Sequence, residues 1–275
     1  MSLPVSPRLA PMEAESVDAL PKGRDWVYEP KWDGFRALAF RDGDTAHLLS
    51  RRQKPLGRFF PEMVAALRRI GRTRFVLDGE LLIRGQPFES LQLRLHPAAS
   101  RIAKLAQQMP ATLICFDLLV DGKGRSLLDR PFGDRRRALE ELFAKIDDPC
   151  LALSPMLRSA PAAERRWLGK RLGVDLDGIV AKRLDLAYEP GGRVMQKFKR
   201  WKTVDCVVGG VYMDDRRTTV ESLLFGLYDR QRRLTYVGRS PVHKEGRDLA
   251  ERLRPLSFNP VTDPTLPNNW YGSCV

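Results

Sequence analysis

Cysteine is scarce in this chain of 275 residues: only Cys115, Cys150, Cys206 and Cys274 occur, and no two form a CxxC pair. That argues against both a disulfide framework and a structural zinc site, and suits a reducing cytoplasm. The three histidines, His47, His96 and His243, are too dispersed for a metal cluster, and none joins an acid and a Ser or Cys in a recognisable catalytic order. No stretch approaches the roughly 18 apolar residues of a membrane helix. The first 25 residues carry charge and Pro4, Pro7, Pro11 and Pro21 in place of a signal-peptide apolar block. Neither GxxxxGK[ST] nor a GxGxxG following a strand occurs, so any nucleotide has to be held by side chains. Negative charge is also in short supply. There are 34 Asp+Glu against 47 Lys+Arg, a net charge of +13, which suits a polyanionic partner such as nucleic acid or, equally, a solvated basic surface.

What is present is a globular composition, 43% hydrophobic, long enough for two domains. The proline-dotted start reads as an extended arm with little chemistry of its own. Strands are expected over Trp26 to Phe40 and again at His47 to Leu49, joined by a turn at Asp42-Gly43. Pro61 opens a helix whose Met63, Val64, Leu67 and Ile70 recur at helical spacing, with Gly71 as its stop. Phe75 to Ile83 and Ala111 to Val120 read as strands separated by helical stretches around Leu91 to Gln108. Asp134 is the expected N-cap of a helix with an apolar stripe of Leu139, Leu142, Phe143 and Ile146, and another helix is expected from Pro161 to Leu172, stopping at Gly173. Strands resume at Gly178 to Lys182 and near Lys197. Beyond Trp201 the texture changes to short strands at regular intervals, Cys206 to Tyr212, Ser222 to Tyr228 and Leu234 to Val237, then one helix from Lys244 to Leu253 and a loop-like end. That pattern suggests a small antiparallel barrel, with domains over residues 1–202 and 203–275.

The chemistry concentrates in Glu29-Pro30-Lys31-Trp32-Asp33-Gly34-Phe35-Arg36, a strand delivering one lysine, two acids and an arginine at a glycine turn. A lysine becomes a nucleophile when burial or neighbouring cations favour its free amine, and Lys182, Lys197 and Lys199 are candidates to supply such cations. The segment resembles the first motif, Lys-x-Asp-Gly-x-Arg, of the covalent nucleotidyltransferases, which comprise ATP-dependent DNA ligases, RNA ligases and mRNA-capping enzymes. Further motifs follow in order: Ser50-Arg51, Leu77-Asp78-Gly79-Glu80, Cys115-Phe116-Asp117-Leu118, Asp177-Gly178-Ile179-Val180-Ala181-Lys182 and Lys197-Phe198-Lys199. The surrounding sequence is similar to the small bacterial ATP-dependent DNA ligases of the repair class.

That resemblance implies an α+β protein: a nucleotidyltransferase (ATP-grasp-like adenylation) domain with antiparallel sheets, then an all-β OB-fold. It implies that Lys31 attacks the α-phosphate of ATP and carries AMP, that Glu29 reads the adenine amino group, and that Phe116 stacks on the base. Arg36 and Glu80 are expected at the ribose, and Arg51 at the 5′-phosphate of a nick. Glu80 and Asp177 are expected to position Mg²⁺, Asp177 through water because many relatives carry the longer Glu there. Lys182, Lys197 and Lys199 are expected to offset charge on the α-phosphate. Taken singly, Asp78 and Asp117 also read as strand-end caps, Phe116 as core, and Arg51-Arg52 with Lys54 and Arg58 as a solvated loop. Jointly, the ordered series favours the functional reading for the motif positions, while Arg52, Lys54 and Arg58 are kept only as phosphate-contact candidates. The cysteines, Trp167 and Trp201 read as packing. A sixth motif, basic with an aspartate, is not found after Leu253, so the barrel is expected to be truncated, and self-adenylation is the step that its loss bears on. The expected substrate is nicked duplex DNA, joined by a monomer at the nucleoid, with a DNA end-binding or repair protein as a candidate recruiter. The alternatives are an RNA ligase or capping-type enzyme, or a DNA-binding remnant without catalysis.

Overall fold

The structure, a computed structural model, describes residues 2–169, 176–199, 204–216 and 218–253. It divides into two compact units, Met1–Arg200 and Trp201–Val275. In chain order the first unit contains β1 (Ala14–Ser16), β2 (Trp26–Trp32), β3 (Phe35–Asp42), β4 (Thr45–Ser50), α1 (Pro61–Arg69), β5 (Arg74–Leu82), α2 (Phe88–Gln92), α3 (Ala99–Gln108), β6 (Thr112–Val120), α4 (Phe132–Phe143), β7 (Leu151–Leu153), α5 (Ala160–Trp167), β8 (Leu176–Arg183) and β9 (Met195–Phe198). Two sheets result, ordered β4-β3-β5-β6-β7 and β1-β9-β8-β2, and most of their pairings are antiparallel.

Strand alternation explains how the two sheets stack. Along β3, Ala37 and Ala39 join a core roofed by Met63, Leu67 and Leu139 of α1 and α4. Leu38 and Phe40, one residue out of phase, join a second core with Met195 of β9, Val5 and Met12, which lies between the sheets. Behind the smaller sheet, Tyr28, Ile179 and Ala181 pack on Ala160, Ala163 and Trp167 of α5. The order of layers is therefore helices, five strands, four strands, helix. β6 is buried at all nine positions because both its faces are covered, which is why its sequence shows no polar alternation.

Several local expectations change. The N-terminal arm is part of the fold: β1 pairs parallel with β9, and Val5 and Met12 are core residues. α4 begins at Phe132 with Pro131 at the N-cap position, so Asp134 lies in the first turn, where it pairs with Arg130 and Arg137. The cap of α1 is the extended Ile70, which leaves Gly71 with no left-handed stop to make. α5 is capped by Ser159 and runs to Trp167, with Leu168 as its C-cap; residues 170–172 of its expected span, and Gly173, lie outside the described residues.

The second unit holds β10 (Val207–Met213), β11 (Val220–Tyr228), β12 (Leu234–Pro241) and α6 (Gly246–Leu253). The strands form one antiparallel sheet, and Val211, Val220 and Leu223 pack on Ala250 and Leu249 of α6. Trp201, the loop-like ending and the region of the missing sixth motif lie outside the described residues. Among the described residues, no helix is long and apolar enough to cross a membrane.

Candidate active site

Between the two sheets of the first unit lies a cavity of about 990 Å³. The period of two along its strands decides what faces it. Glu29 and Lys31 alternate along β2, and β2 pairs antiparallel with β8 so that Glu29 opposes Val180 and Lys31 opposes Gly178. From the facing sheet, Arg36 of β3 opposes Glu80 of β5. Glycine permits the two closest approaches. A Cβ on Gly34 would lie 2.2 Å from the Leu81 carbonyl oxygen, and one on Gly178, whose φ is +153°, would lie 2.2 Å from that of Phe198.

Eight of the ten expected site residues line this cavity: Glu29, Lys31, Arg36, Arg51, Glu80, Phe116, Lys182 and Lys197. The other two, Asp177 and Lys199, attach to it through Lys31. The Lys31 ammonium donates to Asp177 Oδ2 at 2.5 Å, and Lys199 Nζ reaches the same oxygen at 2.6 Å. Burial works against charge on Asp177, yet the hydrogen bonds from Lys199 and Lys31 outweigh it and hold this carboxyl below the usual range. The immediate partner of Lys31 is thus a carboxylate, where the sequence led us to expect cations.

At another part of the cavity, Glu29 is 2% exposed. Its Oε2 accepts from Lys182 Nζ at 3.1 Å, and Arg136 Nη1 stands 3.5 Å from Oε1. Oε1 is buried with no hydrogen-bond partner, an acceptor vacancy of the kind an amino group on a ligand would fill. Lys182 is spoken for: besides Glu29 it donates to the Phe116 carbonyl at 3.3 Å and sits 4.5 Å from the Phe116 ring centroid. Burial pushes the Lys182 ammonium below its ordinary pKa, against the pull of Glu29. Its bonds therefore go to the expected base-reading residues.

Arg36 is also engaged. Its Nε and Nη2 donate to Asp78 at 2.6 and 2.7 Å, and its guanidinium lies 4.4 Å from the centre of Phe116. Asp78 and Asp117 do not cap strand ends: both are buried mid-strand, and Asp117 takes a bidentate pair from the fully buried Arg135. Glu80 remains on the cavity wall, where burial pushes its carboxyl up to about 7 against the counteracting charges of Arg36 and Lys31. Arg51 is over half exposed and 3.7 Å from Glu13, and Arg52, Lys54 and Arg58 share the lining with it. Sequence reasoning missed the arm, whose Pro11 to Ala14 form part of the wall, as well as Arg136, which stands beside Glu29. No spacing signal marked these, since each acts through a distant partner.

The ATP dependent DNA ligase domain family matches residues 7–199, a span that includes every residue of this site. The chain belongs to that family. Among relatives of this ligase family, DNA ligase C2 of Mycolicibacterium smegmatis is 47% identical over 242 residues, covering 86% of this chain and 67% of that protein. DNA ligase C of Mycobacterium tuberculosis is 42% identical over 266 residues, covering 93% and 73%. Among solved structures, a mycobacterial DNA ligase D complexed with ATP and MES matches at a TM-score of 0.58 and 28% identity, over 96% of this chain and 83% of that one.

Proposed function

We propose that this chain is an ATP-dependent DNA ligase that seals 3′-hydroxyl/5′-phosphate nicks in duplex DNA through AMP carried on Lys31. The observation that carries the reading is Lys31 itself, a cavity-lining amine fixed by Asp177 in a pocket that also holds the buried carboxylate of Glu29, whose Oε1 accepts no hydrogen bond. Three displacements at phosphorus follow. Lys31 Nζ gives up its ammonium proton to solvent or to the departing pyrophosphate and forms a P–N bond to the α-phosphorus of ATP as the bond to pyrophosphate breaks. An oxygen of the nick's 5′-phosphate then takes the AMP, freeing Lys31. Finally, the 3′-hydroxyl attacks that 5′-phosphate and AMP departs.

The residues divide this work by position. Asp177 keeps its charge, so it orients Lys31 and is a poor acceptor for its proton. Glu29 Oε1 suits the adenine amino group, Phe116 the base face, and Lys197 and Lys199 the developing charge on phosphate. Lys182 contributes through Glu29. The exposed Arg51, with Arg52, Lys54 and Arg58, suits DNA phosphates. A hard divalent cation fits the donor set, because charge on Glu80 is disfavoured by burial and a cation would relieve it. Among the described residues no three His, Cys, Asp or Glu side chains gather as ligands. Mg²⁺ held by Glu80 and Asp177 would thus complete its shell with phosphate and water, supplying further charge neutralisation.

The same reading assigns residues 1–202 to adenylation and 203–275 to an OB-fold, and takes the enzyme as a nucleoid-associated monomer open to recruitment by a repair protein. The relatives' names, all DNA ligases, weigh against an RNA ligase, a capping enzyme or an inactive remnant. The test is sealing of nicked duplexes with ATP and Mg²⁺, all-DNA and RNA-containing nicks side by side. All-DNA nicks should be joined; sealing confined to RNA nicks, or none at all, contradicts the proposal.

A further inference from the structure

We propose that Tyr188 is a positioning residue of the nucleotide site, holding both Arg36 across Phe116 and the N-terminal arm against the cavity through one closed ring of hydrogen bonds. This rests on reading the cavity as the ATP site. Tyr188 is 3% exposed and lies in the segment between β8 and β9. Its hydroxyl donates to Asp78 Oδ2 at 2.7 Å and accepts the Met12 backbone N–H at 2.9 Å. Asp78, fully buried, takes two further bonds from Arg36, and Arg36 Nη2 closes the ring by donating to the Met12 carbonyl at 3.2 Å.

Each link bears on the cavity. The Met12 peptide is gripped at both its N–H and its carbonyl, and Pro11 to Ala14 form part of the cavity wall. Arg36 is locked in the plane that sets it 4.4 Å from the centre of Phe116, the expected base platform. Burial and the Asp78 charge both raise the Tyr188 phenol well above its ordinary pKa, so it stays a donor across the working pH range. Removing the hydroxyl would leave the Met12 N–H buried without an acceptor and Asp78 Oδ2 short of one donor, loosening the arm and Arg36 together. Lys31 is fixed by a separate set of bonds, to Asp177. Tyr188 should therefore govern how well ATP is held, with little effect on the attack.

The test is lysyl-AMP formation by the full chain as a function of ATP concentration, in parent and Tyr188→Phe. The KM for ATP should rise by about tenfold while kcat stays within about twofold. Hydrogen exchange of residues 11–14 should be faster in the variant, and ATP should slow it less than in the parent. Asp78→Asn serves as a second variant and should move KM in the same direction. An unchanged KM and unchanged arm exchange, even with a lowered unfolding midpoint, would overturn the proposal by leaving Tyr188 a merely structural role. So would a fall in kcat with KM unmoved. A parent that forms no lysyl-AMP overturns the ATP reading beneath it, whereas a parent that does, matched by Tyr188→Phe, overturns this proposal alone.

Discussion

Burial sets Glu80 apart from Asp177, the other carboxylate proposed for the cation. In the unfolded chain Glu80 ionises near 4.5, and in the folded protein at about 7. Between those values the folded state binds the extra proton, so this residue's contribution to stability falls as pH rises, and its cost is complete above pH 7. Without nucleotide or metal, Glu80→Gln should therefore raise the stability of the fold at pH 8 by about 1–3 kcal/mol, and the gain should vanish by about pH 4, below the unfolded value. Urea unfolding at both pH values checks this, and an equal effect at both would show that Glu80 is not held neutral by burial. Asp177 behaves in the opposite sense, since its lysine bonds lower its pKa and their stabilisation is lost only in acid. The chemistry-bearing residues were readable in the sequence because their types and order are dictated by the reaction. Their mutual commitments were not: nothing in the spacing of Arg36 and Asp78, 42 positions apart, announces a bidentate pair.

Elements carry these residues through close backbone approaches, and their sensitivity follows. Gly178→Ala would drive a methyl into the Phe198 carbonyl where β8 and β9 pair, and it also imposes a disfavoured φ. A loss of more than about 3 kcal/mol is expected. Gly71→Ala, next to the end of α1 with nothing within 4 Å of the added Cβ, should stay within about 0.5 kcal/mol. Denaturant midpoints of the two variants test the contrast. Most strands and helices were legible from periodicity and turn residues, including the hairpin at Gly43, where Asp42 pairs with Thr45. The arm was not, because β1 is three residues long and its pairing with β9 is non-local. Asp134 misled as a cap because a favourable Gly-Asp pair also suits a first turn, where the acid meets the helix dipole.

At the scale of the whole molecule, the net charge of +13 predicts that binding to nicked duplex falls linearly in log K against log salt. A slope of about −4 to −8 is expected for on the order of 5–9 phosphates contacted. Self-adenylation involves only a small ligand and should respond far less steeply, so equal salt dependence of the two would argue against a dedicated DNA surface. Charge and motif order made the substrate class legible, and the family resemblance implied antiparallel sheets around the nucleotide pocket, while the strand order within each sheet is set by long-range pairing. The account turns on Lys31 as the carrier of AMP. Intact mass after incubation with ATP and Mg²⁺, in parent and Lys31→Ala, followed by addition of nicked DNA, tests it most directly. The parent should gain one AMP, the variant none, and nicked DNA should discharge the adduct; an adduct that survives in Lys31→Ala, or a parent that seals nicks without ever forming one, would contradict it.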